Sequence, residues 1–200
     1  MARVRAYVGL GANVGDARRT LAAAVAALAA LPGARLRGVS RLYRTRPVGV
    51  TDQPDFLNAA VALDVPAAAT PADGAIALLV QLKALEQAFG RRRRRRWGPR
   101  ELDLDLLVFG RARLAVERPT VGVPLSAAID PGAAARLLEV PHPSMAERLF
   151  VLAPLVDLAP RLVPPGWRER VATAARRRAV AEGPAAVRPV GRWAGDRWVP

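Results

Sequence analysis

A chain of 200 residues, 52% of them hydrophobic, has material for one buried core, and a formal net charge of +14 favours a polyanionic partner such as nucleic acid, nucleotide or phosphate. All but one of the 31 basic residues are arginines, Lys83 being the exception, beside abundant Ala and Pro; a biased genome produces the same profile, so the charge is discounted by roughly half. The lack of cysteine excludes disulfides and thiolate metal sites, no apolar run reaches the ~18 residues of a membrane helix, and the N-terminal apolar stretch is too short for a signal peptide, so a cytoplasmic protein without membrane association is expected.

In chain order, Val4–Leu10 reads as a short buried strand ending in "GLGANVGD". Asp16 is placed to cap the helix "ARRTLAAAVAALAAL", which Pro32-Gly33 stops. Leu36–Tyr43 is a second strand, "RTRPVGVTDQP" a loop, and Phe56–Val65 a third strand. "TPADGAIALLVQLKALEQAFG" is a helix with Thr70 at its cap, Pro71 at its first position and Gly90 at its end. An arginine-rich loop leads to a fourth strand, Leu102–Phe109. The order β-α-β-β-α-β predicts an α+β, ferredoxin-like core, an antiparallel sheet with helices packed on it. Residues 111–140 read as a long loop or hairpin with one helical turn, and Ser144 and Glu147 are spaced as a capping box opening a further helix. From Pro164 onward the chain is Arg, Ala and Pro with scattered Trp, and shows no clear periodicity.

The segment "RRRRRRWGPRELDLDLLVFG", Arg91 to Gly110, carries the densest chemistry. Asp103 and Asp105, two apart on a strand, share a face at roughly 6–7 Å, with Leu102, Leu104, Leu106 and Val108 on the other. Such a pair suits Mg²⁺, which binds through few carboxylates and leaves positions for phosphate oxygens. An ordinary strand with one polar face has the same pattern. Arg91 to Arg96 and Arg100 add forked donors for phosphate, Trp97 a flat surface, and "WGPR" a turn fixing Arg100 near Asp103. Most of the six consecutive arginines are expected to face solvent.

Gly9, Gly11 and Gly15 give G-x-G-x-x-x-G, which is not the dinucleotide fingerprint, and no acidic residue ends the second strand; the glycines are read as a tight turn. No Walker A motif is present. His142, the only histidine, is held between two prolines ahead of a helix, structural or able to donate to a phosphate. In "DQPDFLN", Phe56 and Asn58 share a strand face, so one is placed to stack on a flat ring and the other to read its edge.

Taken together, "YVGLGANVGD", "SRLYRTRPVG", "DQPDFLNAAVAL", "LEQAFGRRRRRRWGPRELDLDLLVFG" and "VPHPSMAERLFVLAPL" closely resemble the 6-hydroxymethyl-7,8-dihydropterin pyrophosphokinases of folate biosynthesis. The matching pieces run from Tyr7 to about Pro160, with 118–139 unmatched. The resemblance implies transfer of the β,γ-pyrophosphate of ATP to the pterin hydroxymethyl group, releasing AMP, with two Mg²⁺ held by Asp103 and Asp105. It implies ATP contacts from Glu86, Arg91, Arg93, Trp97, Arg100, Leu106, His142 and Arg148, with Arg93 and Arg100 joining the aspartates in catalysis. It implies a pterin pocket from Thr45, Val48, Phe56, Asn58 and Phe150, with Gly11 and Asn13 nearby.

Departures from the resemblance are Ala12 in place of a common Ser, Arg46 at a variable position, Lys83 in place of a polar residue, a longer loop at 111–140, and a basic, Trp-containing tail. A pyrophosphokinase domain at 1–163, an extension at 164–200 and a monomer are expected. The competing reading, a basic nucleic-acid-binding module stacking bases on tryptophans, accounts for the charge but leaves Asp103, Asp105 and the His142 segment idle.

Overall fold

The computed structural model describes residues 2–47, 52–90, 98–118, 136–183 and 185–200. Strand β1 spans Arg3–Ala12, helix α1 Ala17–Ala29, β2 Arg35–Val39, β3 Leu42–Thr45, β4 Phe56–Pro66, helix α2 Pro71–Ala88 and β5 Asp103–Phe109. Antiparallel β1 pairs with β4 on one side and β5 on the other, and β4 pairs with β2 and β3. The expected α+β ferredoxin-like order is therefore present, with one modification in the second strand.

That strand is broken. Its halves β2 and β3 pair with successive parts of β4, and Ser40 fills the gap. The Ser40 N–H donates to the Ala60 carbonyl at 2.9 Å, and its hydroxyl accepts the Ala60 N–H at 2.8 Å. A side chain here replaces a backbone rung, so pairing continues while the strand changes course.

Both early helices start as the sequence indicates. Asp16 accepts the Arg19 N–H, and Thr70 accepts the Asp73 N–H. Gly90, at φ 82°, takes the left-handed conformation that follows α2. Leu21, Leu28, Leu63, Leu78, Leu82 and Leu104 join in the main core between α1, α2 and one face of the sheet. Each such leucine removed from water contributes about 1.5–3 kcal/mol.

Four readings of the sequence change. Gly9 and Gly11 lie inside β1, and only Gly15, at φ 62°, belongs to the turn. Val108 does not sit with Leu104 and Leu106: a bulge opposite Tyr7 and Val8 skips Leu107, and Leu107 and Val108 join a second core. The capping box does not form: Ser144 makes no side-chain cap, Met145–Glu147 is a 3₁₀ turn, and helix α3 starts at Leu149 and runs to Leu158. The C-terminal residues are ordered into helix α4, Val171–Glu182, and strands β8, Val187–Trp193, and β9, Trp198–Val199.

The loop or hairpin expected at 111–140 contains strands β6, Leu114–Glu117, and β7, Arg136–Val140, which pair antiparallel as a separate two-stranded sheet, and the helical turn expected between them falls at 119–135, outside the described residues. The main sheet runs β5-β1-β4-β3-β8-β9, with β2 also on β4. The second core joins α3 and α4 to Leu107, Val108 and Met145.

Candidate active site

Register places the chemistry in one row across the sheet. Asp103 of β5 lies opposite Gly11 of β1, Gly11 opposite Asn58 of β4, and Asn58 opposite Tyr43 of β3. Asp105 lies opposite Gly9, which lies opposite Ala60. Paired residues share a face, so Asp103, Asp105, Asn58, Phe56 and Thr45 stand on the same side of the sheet, away from the core leucines. Between Asp103 and Asn58 the row holds only Gly11, whereas on the next row the Leu107 side chain lies over Gly9, 3.5 Å from where a Cβ would stand. A Cβ built at Gly11 would stand 3.1 Å from the Asn58 side-chain oxygen. Two strand spacings, about 10 Å, of low floor separate Asp103 from Asn58, room for a substrate to lie against the backbone.

The strand carrying the aspartates is an edge, and α2 covers that edge with side chains. The Leu104 N–H donates to Glu86 Oε1 at 2.8 Å, and the Leu104 carbonyl accepts from Lys83 Nζ at 3.2 Å. Lys83 and Glu86 also pair with each other at 2.8 Å. Leu104 therefore turns its backbone outward, and alternation turns the backbones of Asp103 and Asp105 inward onto Gly11 and Gly9. Glu86 is 2% exposed, and Lys83 supplies the opposite charge that such burial requires.

Asn13, 4% exposed, joins two loops. Its N–H donates to the Arg100 carbonyl at 3.0 Å and its Oδ1 accepts the Arg100 N–H at 2.8 Å. Its Nδ2 donates to Gln53 Oε1 and to the Pro54 carbonyl, each at 3.0 Å. So held, Arg100 extends Nη1 to Asp103 Oδ1 at 2.7 Å. On the other side of the row, Asn58 Nδ2 donates to Thr45 Oγ1 at 2.7 Å, and both residues are buried.

His142 joins the aspartates from the segment after β7. Its N–H donates to the Leu107 carbonyl at 2.9 Å, so the bulge in β5 has a use: it offers an acceptor to the His142 backbone. Burial, the largest influence, holds the His142 pKa below the ordinary imidazole value. Asp105 and Asp103 pull the other way and Arg148 adds to the lowering, which also places all three within electrostatic reach of the ring. His142 is thus neutral near pH 7, and its buried Nδ1 has no hydrogen-bond partner among the described residues. Arg148 precedes α3 in an extended conformation, its guanidinium 5.9 Å from the centre of the Phe150 ring.

Of the residues singled out from sequence, Asp103, Asp105, Gly11, Asn58, Thr45 and Phe56 share one face, and His142, Arg148 and Arg100 reach it electrostatically or through a hydrogen bond. Leu106 stands apart: its side chain lies in the core at 3% exposure, so a contact from it to a ligand would run through the main chain. Glu86 spends its carboxylate on Leu104 and Lys83. Val48, Arg91, Arg93 and Trp97 lie outside the described residues. Sequence reasoning missed Lys83 as a partner; the signal was opposite charge at i, i+3 on an otherwise apolar helix face. It also missed that Gly9 is strand, its lack of a side chain making room for Leu107, since Gly-Leu-Gly reads as a turn unless the alternation Val8-Leu10-Ala12 is weighed first.

Two carboxylates on one strand face, with the open Gly11 position beside Asp103, form a hard-oxygen donor set that fits Mg²⁺ shared with phosphate oxygens. Among the described residues no group of three or more His, Asp or Glu forms a cage of its own, and a Mg²⁺ that takes most of its ligands from phosphate and water needs none.

A family model described as 7,8-dihydro-6-hydroxymethylpterin-pyrophosphokinase matches residues 7–160. The chain is 44% identical over 170 residues to the 2-amino-4-hydroxy-6-hydroxymethyldihydropteridine pyrophosphokinase of Methylorubrum extorquens, covering 85% of this chain and 92% of that one. It is 43% identical over 164 residues to the protein of the same name from Pseudomonas aeruginosa, covering 82% and 86%. Among solved structures it resembles a wild-type Plasmodium falciparum HPPK-DHPS with pteroate, with TM-score 0.72 at 13% identity over 99% of this chain and 47% of that one. A second HPPK-DHPS, crystallised in complex with substrates, gives TM-score 0.72 at 12% identity over 100% and 49%. The chain thus spans about half the length of these solved chains, and at this identity they speak for the fold. Nothing in these matches supports the nucleic-acid-binding reading.

Proposed function

Since the chain belongs to the 7,8-dihydro-6-hydroxymethylpterin-pyrophosphokinase family, we propose that it transfers the β,γ-pyrophosphoryl group of ATP to the hydroxymethyl oxygen of 6-hydroxymethyl-7,8-dihydropterin. The new bond joins that oxygen to the β-phosphorus as the hydroxyl proton is released to solvent, the bond from the β-phosphorus to the α,β-bridging oxygen breaks, and AMP leaves carrying the bridging oxygen. The observation that carries the reading is the row Asp103–Gly11–Asn58, which sets a carboxylate end and an amide end on one face with a floor between them.

In this reading the amide end takes the pterin. Asn58, oriented by Thr45, reads the edge of the ring, and Phe56, two residues along the same face, stacks on it; Phe150 is assigned as the second ring on the sequence resemblance alone. The carboxylate end takes the triphosphate. Asp103 and Asp105 would hold Mg²⁺, which when bound neutralises charge on the phosphoryl oxygens. Arg100, its backbone clasped by Asn13, directs a fork of donors at the phosphates, and neutral His142 and Arg148 complete the wall. Arg91, Arg93 and Trp97 are assigned to ATP on the sequence resemblance alone.

This transfer needs no nucleophilic side chain. What it needs is the pterin hydroxyl aligned with the β-phosphorus and charge opposed where it builds up. Asn13 serves alignment by fixing the loop at Arg100 to the loop at Gln53 and Pro54, so that the two substrate ends are held by one residue. The protein is taken to act as a monomer, the form expected from the sequence. Among the described residues no helix is long and apolar enough to cross a membrane, and ATP as substrate points to the cytoplasm.

The test is AMP release. Purified protein with ATP, Mg²⁺ and 6-hydroxymethyl-7,8-dihydropterin should form AMP and the pterin diphosphate in equal amounts. Formation of ADP, or AMP release that ignores the pterin, would overturn the assignment.

A further inference from the structure

The sheet does not end at β3, where the pterin-side residues sit. Strand β8 pairs along the outer side of β3, with Val187 opposite Thr45 and Pro189 opposite Tyr43. These lie beyond residue 160, where the family match stops. By register Val187 extends the pair Phe56–Thr45 by one strand, and Pro189 extends the row Asp103–Gly11–Asn58–Tyr43. Both are placed on the face that carries the site.

The strand is fastened at several points. Trp198, 3% exposed, donates its Nε1 hydrogen to the Ser40 carbonyl at 2.8 Å, at the break that leads into β3. Arg18 of α1 donates to the carbonyls of Trp198 at 3.1 Å and Val190 at 2.9 Å. Trp193 and Trp198 meet edge to face with centroids 4.6 Å apart. Gly191 makes the closure possible, because a Cβ there would stand 3.0 Å from the Val199 carbonyl oxygen and 3.2 Å from both Arg18 and Trp198.

We propose that the C-terminal pair β8–β9 is a positioning element for the pterin end of the site: it fixes β3 from outside, and through β3 it fixes Thr45 and so the Asn58 amide. β3 has only four residues, so its course depends on its neighbours: β4 on one side, β8 on the other, and Asp157 of α3, which accepts the Tyr43 hydroxyl at 2.9 Å. Thr45 accepts the Asn58 hydrogen bond, so a shift of β3 displaces the group that orients the ring-reading amide. The carboxylate end is insulated from this effect. β8 and β5 are separated by β3, β4 and β1, four spacings or about 19 Å. The inference rests on the pterin assignment above and gives the tail a specific task within it: affinity for the flat bicyclic ring.

The test uses the full chain with Trp198→Phe, which keeps an aromatic ring but loses the donor to Ser40, and with Arg18→Ala, which releases both carbonyls it holds. Each should raise KM for 6-hydroxymethyl-7,8-dihydropterin about 5-fold, the size of one lost hydrogen bond, with KM for ATP and kcat within about 2-fold. Amide hydrogen exchange over residues 42–45 should quicken in both variants. An unchanged pterin KM, or equal increases in both KM values with a lower melting temperature, would overturn the proposal. If the wild-type chain forms AMP without regard to the pterin, the functional reading falls and this one with it; a wild type that responds to pterin beside variants that match it sinks the tail's role alone.

Discussion

Asn13 and Arg100 exchange two hydrogen bonds: the Asn13 N–H donates to the Arg100 carbonyl at 3.0 Å, and the Arg100 N–H donates to Asn13 Oδ1 at 2.8 Å. The pair imitates a rung of antiparallel sheet between two loops, and the Asn13 amide hydrogens go to a third. Asn13→Asp keeps the acceptor for Arg100 but replaces both donors toward Gln53 and Pro54 by a lone-pair oxygen. The expected result is a pterin KM raised by about 10-fold, the equivalent of ~1–3 kcal/mol for polar groups left unpaired, with a much smaller change for ATP. Asn13→Ala should damage both. Steady-state kinetics with each substrate varied in turn would show the split; equal damage from Asn13→Asp would refute it.

Asp103→Ala and Asp105→Ala should each lower kcat about 100-fold or more, the scale of losing one electrostatic contact to a charged transition state. Both side chains are partly exposed on the site face and neither belongs to the core, so melting temperature should hold within a few degrees. AMP formation at saturating ATP, pterin and Mg²⁺ measures the loss. Full activity in either variant would remove that residue from the site.

Lys83→Met tests the brace on β5. It leaves the buried Glu86 carboxylate with the Leu104 N–H but without the Lys83 ammonium. Stability should fall by about 1–3 kcal/mol, moderated because Lys83 is 42% exposed on its side chain. Lys83→Met combined with Glu86→Gln removes the buried charge together with its Lys83 partner and should recover part of that loss. Urea unfolding of the single and double variants decides the matter, and no recovery in the double variant would argue against a charge effect.

Phe56→Ala should weaken pterin binding by ~1–3 kcal/mol, by analogy with one ring stacked on a nucleobase, and leave ATP binding unchanged. Calorimetry with each ligand separates these. Equal losses for both would indicate a folding defect.

Asp64 on β4 predicts part of the acid response. Its hydrogen bond with Arg5 of β1 is the chief cause that lowers its pKa below the usual 3.8, and Arg37 of β2 adds to it. The unfolded chain therefore takes up this proton at higher pH than the folded one. The contribution is present above about pH 4 and is lost as pH falls through the lowered folded value. Asp64→Asn should cost no more than about 1 kcal/mol at pH 7 and flatten the decline in stability between pH 5 and 3. An unchanged slope in chemical unfolding across that range would contradict this.

The parts legible in the sequence are those that follow from local period and punctuation. Val4–Leu10 and Phe56–Val65 alternate or run apolar, and Asp16, Thr70 and Gly90 mark helix ends by their own chemistry. Asp103 and Asp105 declare a common face through spacing alone. The rest depends on partners distant in the chain. The break between β2 and β3 exists because the Ser40 hydroxyl finds the Ala60 N–H, which no window around Ser40 contains. Val108 changes side because a bulge at Leu107 offers its carbonyl to His142, 35 residues on. β8, with Pro189 in it and arginines along it, has poor strand propensity and takes its form from β3 beside it. The Ser144–Glu147 spacing promised a cap, but Arg148 at φ −125° is extended, so the helix begins a turn later.

An edge strand with free backbone groups invites a strand from another molecule, and β5 is such an edge. The groups at Leu104 that would greet an incoming strand are already engaged, the N–H by Glu86 and the carbonyl by Lys83. At β5 the sheet is therefore guarded by side chains of α2, and a loss of Lys83 or Glu86 would show itself as concentration-dependent self-association through that strand as well as in stability.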